Sequence, residues 1–232
     1  MLLIGPNGAQ LSETGHVPAD FVRANTRLAP VPFVPEVRLH QAEEPIALWE
    51  RTEADGGAEQ PPPFWAFAWA GGQALARHVL DHPSLVAGRD VLDLATGSGL
   101  VAIAAVRAGG KPVTANDIDP RSLAAARANA EVNAVRLRYV EGDLLDTGDR
   151  YGVVLAGDVF YSRAMAGRVL PYLRRAAGHG SLVLVGDPGR AYLPARGMIR
   201  QASYDVPVSV ELESVPTRHT TVWRVSGTTS GL

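Results

Sequence analysis

A glycine-rich turn near the middle of the chain links a short apolar run to an alanine-rich one. In Asp93–Ala102 (DLATGSGLVA), an acid ends the apolar run, and Gly97 and Gly99 follow. Glycines let a backbone pass close to a ligand where side chains would collide. The turn also satisfies the G-x-G-x-x-A fingerprint of dinucleotide sites, which is a weak signal by itself. Asp93 restricts which ligand the turn can bind, because a carboxylate there repels a pyrophosphate and favours a cationic ligand.

Two further acids, Asp117 and Asp143, follow the next two apolar runs. A carboxylate at Asp117 can accept hydrogen bonds from both hydroxyls of a ribose, and one at Asp143 can accept from an adenine amine. Carboxyl ends of parallel strands share one edge of a sheet, where ligands of open α/β folds bind. The three acids favour S-adenosylmethionine as the cofactor, with NAD as the alternative.

A fourth acid, Asp158, follows the fourth apolar run in Gly157–Tyr161 (GDVFY). Methyltransferases that attack adenine or glutamine amides carry an Asn/Asp-Pro-Pro-Tyr turn at this point, and this chain has no such turn. The spacing of Asp158 and Tyr161 instead resembles the Asp/Glu-x-x-Tyr/Phe motif of seven-strand protein methyltransferases, most of which modify lysine. Ser98 lacks the flanking pattern of a nucleophile elbow, which disfavours a serine hydrolase.

The elements that position these acids alternate between strand and helix patterns. Strands are predicted over Asp90–Leu94, Pro112–Asn116, Leu137–Val140, Gly152–Ala156 and Ser181–Val185. Helices are predicted over Gly71–Leu80, Leu100–Ala108, Arg121–Val132, Ala164–Ala177 and Gly189–Arg200. Two β-rich runs, Tyr204–Val210 and Thr220–Val225, predict a terminal antiparallel hairpin. The layout predicts an α/β, Rossmann-like class I methyltransferase fold, with a seven-stranded mostly parallel sheet.

The region before these elements is punctuated by prolines. Short extended pieces are predicted at Val37–Leu39 and Ala47–Trp49, and the alternation of Trp65, Phe67 and Trp69 also fits a strand that buries one face. We expect residues 1–63 to form an N-terminal extension packed on the core. Residues 64–226 are expected to form the methyltransferase domain, and residues 227–232 a disordered tail.

Composition excludes several classes of function. The 232 residues include no cysteine, and 22 basic against 24 acidic side chains give a net charge of −2. Disulfides, thiolate metal sites and cysteine nucleophiles are therefore excluded, and the six histidines show no metal-ligand spacing, so no metal is expected. The near-neutral charge predicts no nucleic-acid partner. The start lacks a basic leader and no apolar run could span a bilayer, so we expect a soluble cytoplasmic protein without a membrane partner.

A resemblance to one family extends over nearly the whole chain. Pro63–Arg77 (PFWAFAWAGGQALAR) is similar to the Pro-Tyr-Trp-Ala-x-x-Trp-Pro-Gly-Gly-Gln-Ala segment of electron transfer flavoprotein β-subunit lysine methyltransferases. Phe21–Thr26 (FVRANT) with Pro35–Leu39 (PEVRL) resembles the N-terminal segment of that family, and Thr220–Arg224 (TTVWR) its C-terminal segment. The chain departs from the family pattern at Ala70, where proline is usual, and at Ala95-Thr96, where Gly-Cys or Gly-Ala is commoner.

The resemblance implies transfer of a methyl group from S-adenosylmethionine to lysine of the electron transfer flavoprotein β subunit. Asp158 is then expected to orient the lysine ammonium first and to act as general base second, with Tyr161 at the same end of the pocket. Trp69 or Trp65 would pack against the cofactor or form a cation–π wall. The expected cofactor-binding residues are Trp69, Asp93, Ala95, Gly97, Gly99, Asp117, Ile118, Asp143 and Leu144.

For the lysine methyltransferase we expect a monomer. Three other functions stay open, one of which is an NAD-dependent oxidoreductase that cofactor binding would exclude. A small-molecule N-methyltransferase acting on a nicotinamide-like amine would need a lid over the pocket, and Phe21–Pro63 looks too extended and Pro-rich to be a helical lid. A degenerate methyltransferase fold could serve as a binding module. The intact set of acids and glycines argues against that reading, because a module without catalysis has no need for all of them.

Overall fold

The computed structural model describes residues 19–56 and 61–227. The expectations for the start of the chain and for a disordered tail concern residues that, apart from residue 227, lie outside the described ranges. No helix in the described part of the chain is long and apolar enough to cross a membrane.

Residues 19–56 form two helices and a hairpin. Helix α1 (Ala19–Asn25) precedes strands β1 (Arg27–Val31) and β2 (Val34–Gln41), which pair antiparallel as a separate two-stranded sheet, and helix α2 (Pro45–Gly56) follows. The predicted extended piece at Ala47–Trp49 is wrong, since these residues lie in α2. Pro45 opens this helix, where its fixed φ angle favours helix formation and its missing N–H costs nothing.

The remaining elements alternate along the chain. In order, they are α3 (Ala70–Asp81), β3 (Val91–Leu94), α4 (Leu100–Arg107), β4 (Val113–Asp117), α5 (Pro120–Val132), β5 (Arg138–Glu141), β6 (Val153–Gly157), α6 (Arg163–Gly178), β7 (Leu182–Asp187), β8 (Met198–Pro207), α7 (Val210–Glu213) and β9 (Thr217–Val225). Their strand order is β5-β4-β3-β6-β7-β9-β8. The first five strands in this order are parallel, and β9 pairs antiparallel with both β7 and β8. The predicted fold class is therefore confirmed.

The predicted helix over Gly189–Arg200 is wrong. The Oδ1 atom of Asp187 accepts hydrogen bonds from the backbone N–H groups of Gly189 and Arg190, both at 2.7 Å, and these bonds close a turn. Gly189 and Gly197 have φ angles of 84° and 80°, which lie outside the helical region. Strand β8 then begins at Met198, earlier than the predicted Tyr204, so the hairpin is correct in kind and shifted in its bounds.

The alternating aromatic residues do not form a strand. Phe64–Ala66 is one turn of 3₁₀ helix, and Trp65 is completely buried. Its ring meets that of Phe21 edge to face, with 6.5 Å between centroids, and it belongs to an apolar cluster that joins α1 and α2 to α5. Trp65 therefore packs α1 and α2 against α5 of the core.

Candidate active site

One large cavity, of about 590 Å³, lies at the carboxyl edge of the parallel strands. This volume falls within the range of small-molecule and cofactor sites. All predicted site residues except Gly99 and Trp65 line it: Trp69, Asp93, Ala95, Gly97, Asp117, Ile118, Asp143, Leu144, Asp158 and Tyr161. Gly99 instead packs on α5, where an added Cβ would lie 3.0 Å from the Cα and Cβ atoms of Ala126.

Asp93 anchors the start of the glycine loop. Its Oδ2 atom accepts from the Thr96 hydroxyl at 2.5 Å and from the Ala102 backbone N–H at 3.0 Å. Burial raises the pKa of this carboxyl to about 7, and the nearby carboxylate of Asp117 adds to the rise. Both hydrogen bonds from the described residues fall on Oδ2, so Oδ1 keeps its lone pairs for a ligand. The chemistry suits a cation that stabilises the ionised form.

Asp117 connects the glycine loop to the end of β4. One carboxylate oxygen accepts from the Gly97 backbone N–H at 3.0 Å, and the other accepts from the Asp119 N–H at 3.0 Å. The Ser122 side chain also hydrogen-bonds this carboxylate, and the lone pairs that remain on its two oxygens can accept from vicinal hydroxyls. The next residue, Ile118, lines the cavity although 73% of its surface is exposed. An exposed apolar side chain at this point offers a face for a flat ring.

Asp143 lies farther along the same edge, after β5. Its Oδ1 atom accepts from the Leu145 backbone N–H at 2.9 Å, and Oδ2 forms an ion pair with Arg168 of α6. The Leu145 N–H and the Arg168 guanidinium hold the pKa of this carboxyl below its usual value. Asp143 is therefore an ionised acceptor at the opposite end of the cavity from Asp158.

Asp158 is held in a strained conformation at the end of β6. Its φ angle is 54°, in the left-handed region that costs energy for a residue with a Cβ. Its backbone N–H donates to the Gly186 carbonyl at 2.9 Å, and its Oδ2 atom accepts from the Gly72 N–H at 3.1 Å. The Gly72 bond aims the carboxylate at the amino end of α3, where the helix dipole favours negative charge.

The Gly-Gly pair at the start of α3 allows this approach. A Cβ on Gly71 would lie 2.2 Å from the Gly186 carbonyl oxygen and 2.5 Å from Asp158 Oδ2. A Cβ on Gly157 would lie 2.8 Å from the Gly72 Cα. The Gly-Gly-Gln segment is thus explained by a close crossing of α3 over the ends of β6 and β7.

Arg190 is the site residue that the sequence did not reveal. Its Nε and Nη2 atoms donate to Asp158 Oδ1 at 3.1 and 2.9 Å, and Nη1 and Nη2 donate to Glu213 at 3.1 and 2.6 Å. Arg218 donates to Glu213 from the other side, at 3.0 Å. Nothing in the local pattern signals Arg190, because its partners are distant in sequence and it lies where a helix was predicted.

The charges around Asp158 compensate one another. Burial raises the pKa of its carboxyl to about 6, while the Arg190 guanidinium opposes the rise. Asp158 with Arg190 forms a neutral pair, and so does Glu213 with Arg218. The Asp187 carboxylate also lies near and raises the pKa of Asp158, so a lysine ammonium that enters this end of the cavity meets about the net charge of one carboxylate.

Aromatic rings form the wall beside Asp158. The Phe64 ring lies 5.5 Å from that of Tyr161 and 5.9 Å from that of Trp69, between centroids. The Trp69 indole N–H donates to the Phe64 carbonyl at 2.8 Å, and the Arg190 guanidinium carbon lies 5.8 Å from the Trp69 ring. Phe64 and Tyr161 stay 42% and 47% exposed, so this wall reaches from the cavity to the surface.

The lining fits S-adenosylmethionine as a whole. Asp93 offers a free carboxylate oxygen to an ammonium, Asp117 offers paired acceptors to a ribose, and Ile118 and Asp143 offer an apolar face and an acceptor to an adenine. The glycine loop joins the first two groups. A pyrophosphate would lie against Asp93, which makes NAD a poorer fit.

Comparisons with known proteins agree with this geometry. Residues 75–157 match the family model described as ribosomal protein L11 methyltransferase (PrmA). The electron transfer flavoprotein beta subunit lysine methyltransferase of Danio rerio is 38% identical over 199 residues, which cover 83% of this chain and 76% of the relative. The protein of the same name from Xenopus laevis is 36% identical, covering 89% of this chain and 86% of the relative.

Solved structures share the fold. The ribosomal protein L11 methylase of Lactobacillus delbrueckii subsp. bulgaricus superposes with a TM-score of 0.50 at 21% identity, covering 69% of this chain and 80% of that one.

Proposed function

This chain belongs to the electron transfer flavoprotein beta subunit lysine methyltransferase family of S-adenosylmethionine-dependent methyltransferases, and we propose that it methylates a lysine of that flavoprotein subunit. The observation that carries the proposal is the placement of Asp158 and Tyr161. They lie at one end of a cavity whose other lining residues suit the cofactor. Methyl donor and acceptor would therefore meet inside one cavity.

S-adenosylmethionine supplies an electrophilic methyl group on a sulfonium, and the residues of this chain place the amine that attacks it. In-line displacement gains most from orientation, with the amine nitrogen about 3 Å from the methyl carbon. Asp158 Oδ2 keeps one lone pair after the Gly72 bond, and that lone pair accepts from the lysine amine. The rings of Trp69, Phe64 and Tyr161 flank the aliphatic stem of the lysine.

The lysine must lose a proton before it attacks. With a usual pKa of about 10.4, deprotonation at neutral pH costs about 4–5 kcal/mol. Asp158 alone would raise that cost by favouring the ammonium. Arg190 reduces this effect, because it already compensates the carboxylate charge. We therefore assign Asp158 mainly to orienting the amine.

A protein acceptor is favoured over a small amine by the surroundings of the cavity. The N-terminal residues do contain helices, contrary to the expectation of an extended segment. Pro61 and Pro62 of this segment line the cavity, whereas none of the described residues of α1 or α2 does, so these two helices do not act as a lid over it. The exposed rings of Phe64 and Tyr161 instead offer a surface to a lysine-bearing protein. We further propose that the enzyme acts as a cytoplasmic monomer without a nucleic-acid partner.

Methyl transfer from labelled S-adenosylmethionine into recombinant electron transfer flavoprotein tests the proposal, with mass spectrometry to locate the mark. We expect the wild type to label a β-subunit lysine, Asp158→Asn to lose most of that activity, and Asp205→Asn to retain it. Asp205 is an exposed acid that pairs with His219 outside the cavity. If the wild type binds cofactor and leaves the flavoprotein unlabelled, the proposed substrate is wrong. Equal activity of the two variants would refute the role of Asp158.

A further inference from the structure

Asn129 of α5 joins the glycine loop to the N-terminal hairpin. Its side chain is fully buried. Nδ2 donates to the Ser98 carbonyl oxygen at 2.8 Å, and Oδ1 accepts from the His40 backbone N–H at 2.7 Å. Ser98 lies between the two loop glycines and lines the cavity, and His40 lies in β2. One side chain therefore spans the distance from the cofactor end of the cavity to the hairpin.

We propose that Asn129 is a positioning residue for S-adenosylmethionine, which holds the Gly97–Gly99 loop in the conformation that receives the cofactor. The inference rests on the proposed function only for the identity of the cofactor. It goes beyond that function by giving the N-terminal hairpin a part in cofactor affinity.

The loop needs such a restraint because its glycines allow many backbone conformations. Gly97 and Gly99 have φ angles of 51° and 81°, which place both in the left-handed region. Gly99 approaches α5 at Ala126, and Asn129 lies one turn farther along the same helix face. The close approach and the Ser98 hydrogen bond together fix the loop on α5, with Ser98 toward the cavity.

The two residues that Asn129 bonds, Ser98 and His40, are both buried. Loss of the side chain would leave the Ser98 carbonyl and the His40 N–H without their partner in a region that excludes water. The loop would then be drawn toward conformations that reach solvent. Because Gly97 also bonds Asp117, such a shift would disturb the carboxylate that is expected to hold the ribose.

Asn133 provides a matched control on the same helix. It lies one turn beyond Asn129, accepts from the Arg38 N–H at 3.1 Å and donates to the Arg38 carbonyl at 2.6 Å. It thus ties α5 to β2 with two bonds, and none of its hydrogen bonds within the described residues reaches the glycine loop. Asn133→Ala therefore weakens the attachment of the hairpin at least as much as Asn129→Ala does.

Calorimetric titration of the full chain with S-adenosylmethionine compares the two variants with the wild type. We expect Asn129→Ala to weaken Kd about tenfold and Asn133→Ala to stay within about twofold. In methyl-transfer kinetics, Asn129→Ala should raise KM for the cofactor and keep kcat at saturation. Hydrogen exchange of the loop amides should accelerate in Asn129→Ala alone. Equal Kd values in all three proteins, or equal weakening in both variants, would overturn the inference.

A second variant and the wild-type titration separate failure of this inference from failure of the proposed function. Asn129→Asp preserves the shape and the acceptor for His40 while it removes the donor to Ser98, so it serves if the alanine variant does not fold. At pH 8 we expect the same weakening of Kd, and wild-type affinity in this variant would count against the proposed role. A wild type that binds no S-adenosylmethionine would instead refute the proposed function itself.

Discussion

The affinity for S-adenosylmethionine is expected to fall on acidification, because of Asp93. Burial raises the pKa of this carboxyl to about 7, so below pH 7 the free protein holds the proton. The cationic ligand favours the ionised form, and binding must release that proton. The α-ammonium of the ligand loses its own proton with a pKa of about 7.7–8.0, so affinity should also fall at basic pH. Affinity should therefore be highest between pH 7 and 8.

The pKa values give the size of the effect. If only ionised Asp93 and the ammonium form of the ligand bind, Kd is about sixfold weaker at pH 6 than at pH 7.5, and about fiftyfold weaker at pH 5. Calorimetry in two buffers of different ionisation enthalpy measures both Kd and the protons exchanged. At pH 6 we expect about one proton to be released per ligand bound.

Substitution of Thr96 tests whether Asp93 causes the loss of affinity at acidic pH, which we call the acid limb of the pH profile. The Thr96 hydroxyl donates to the carboxylate and lowers its pKa, so Thr96→Val should move the acid limb to higher pH. Thr147→Val, outside the cavity lining, should leave the limb where it is. A Kd that is constant from pH 6 to 7.5, net proton uptake, or a limb that moves to lower pH in Thr96→Val would refute the reasoning.

Three other substitutions test the geometry around Asp158 and the loop. Gly71→Ala places a Cβ 2.2 Å from a backbone oxygen of β7 and should lower the free energy of unfolding, measured in urea, by more than about 3 kcal/mol. Gly72→Ala, whose Cβ would have its nearest neighbours at 4.0 Å, should change that free energy by less than about 1 kcal/mol. Equal effects of the two substitutions would contradict the close crossing of α3 over β7. Ala95→Gly should stabilise the fold by up to about 1 kcal/mol, because the φ angle at this position is 55°, and a lower melting temperature would contradict that turn. Glu213→Gln should reduce kcat for lysine methylation about tenfold at unchanged cofactor Kd, because it weakens the bond to the Arg190 guanidinium that holds Asp158. Substitution of the exposed Glu211 by Gln should leave kcat unchanged, and equal rates of the two variants in steady-state assays would refute the role of Glu213.

The sequence predicted those parts of the site that depend on local pattern. Asp93 lies one residue before the end of β3, Asp117 ends β4 and Asp158 directly follows β6, so recognition of the apolar runs was enough to place them on one edge of the sheet. Arg190 and Glu213 escaped prediction because their contacts join residues that are far apart in the chain. The turn that presents Arg190 depends on the Asp187 carboxylate, which accepts from two backbone N–H groups and so replaces the helix that was predicted there.

The two departures from the family pattern have different physical consequences, and the backbone explains both. Ala70 is the first residue of α3, where a helix needs no N–H donor, so alanine and proline serve equally well. Ala95 adopts a φ angle of 55°, where glycine is free of strain and alanine is not. Position 95 lies directly before the loop that Asp93, Asp117 and Asn129 hold in place. An alanine persists there because three buried side-chain anchors impose a conformation that its own preference opposes, so relief of the strain should add stability and leave the fit to the cofactor intact.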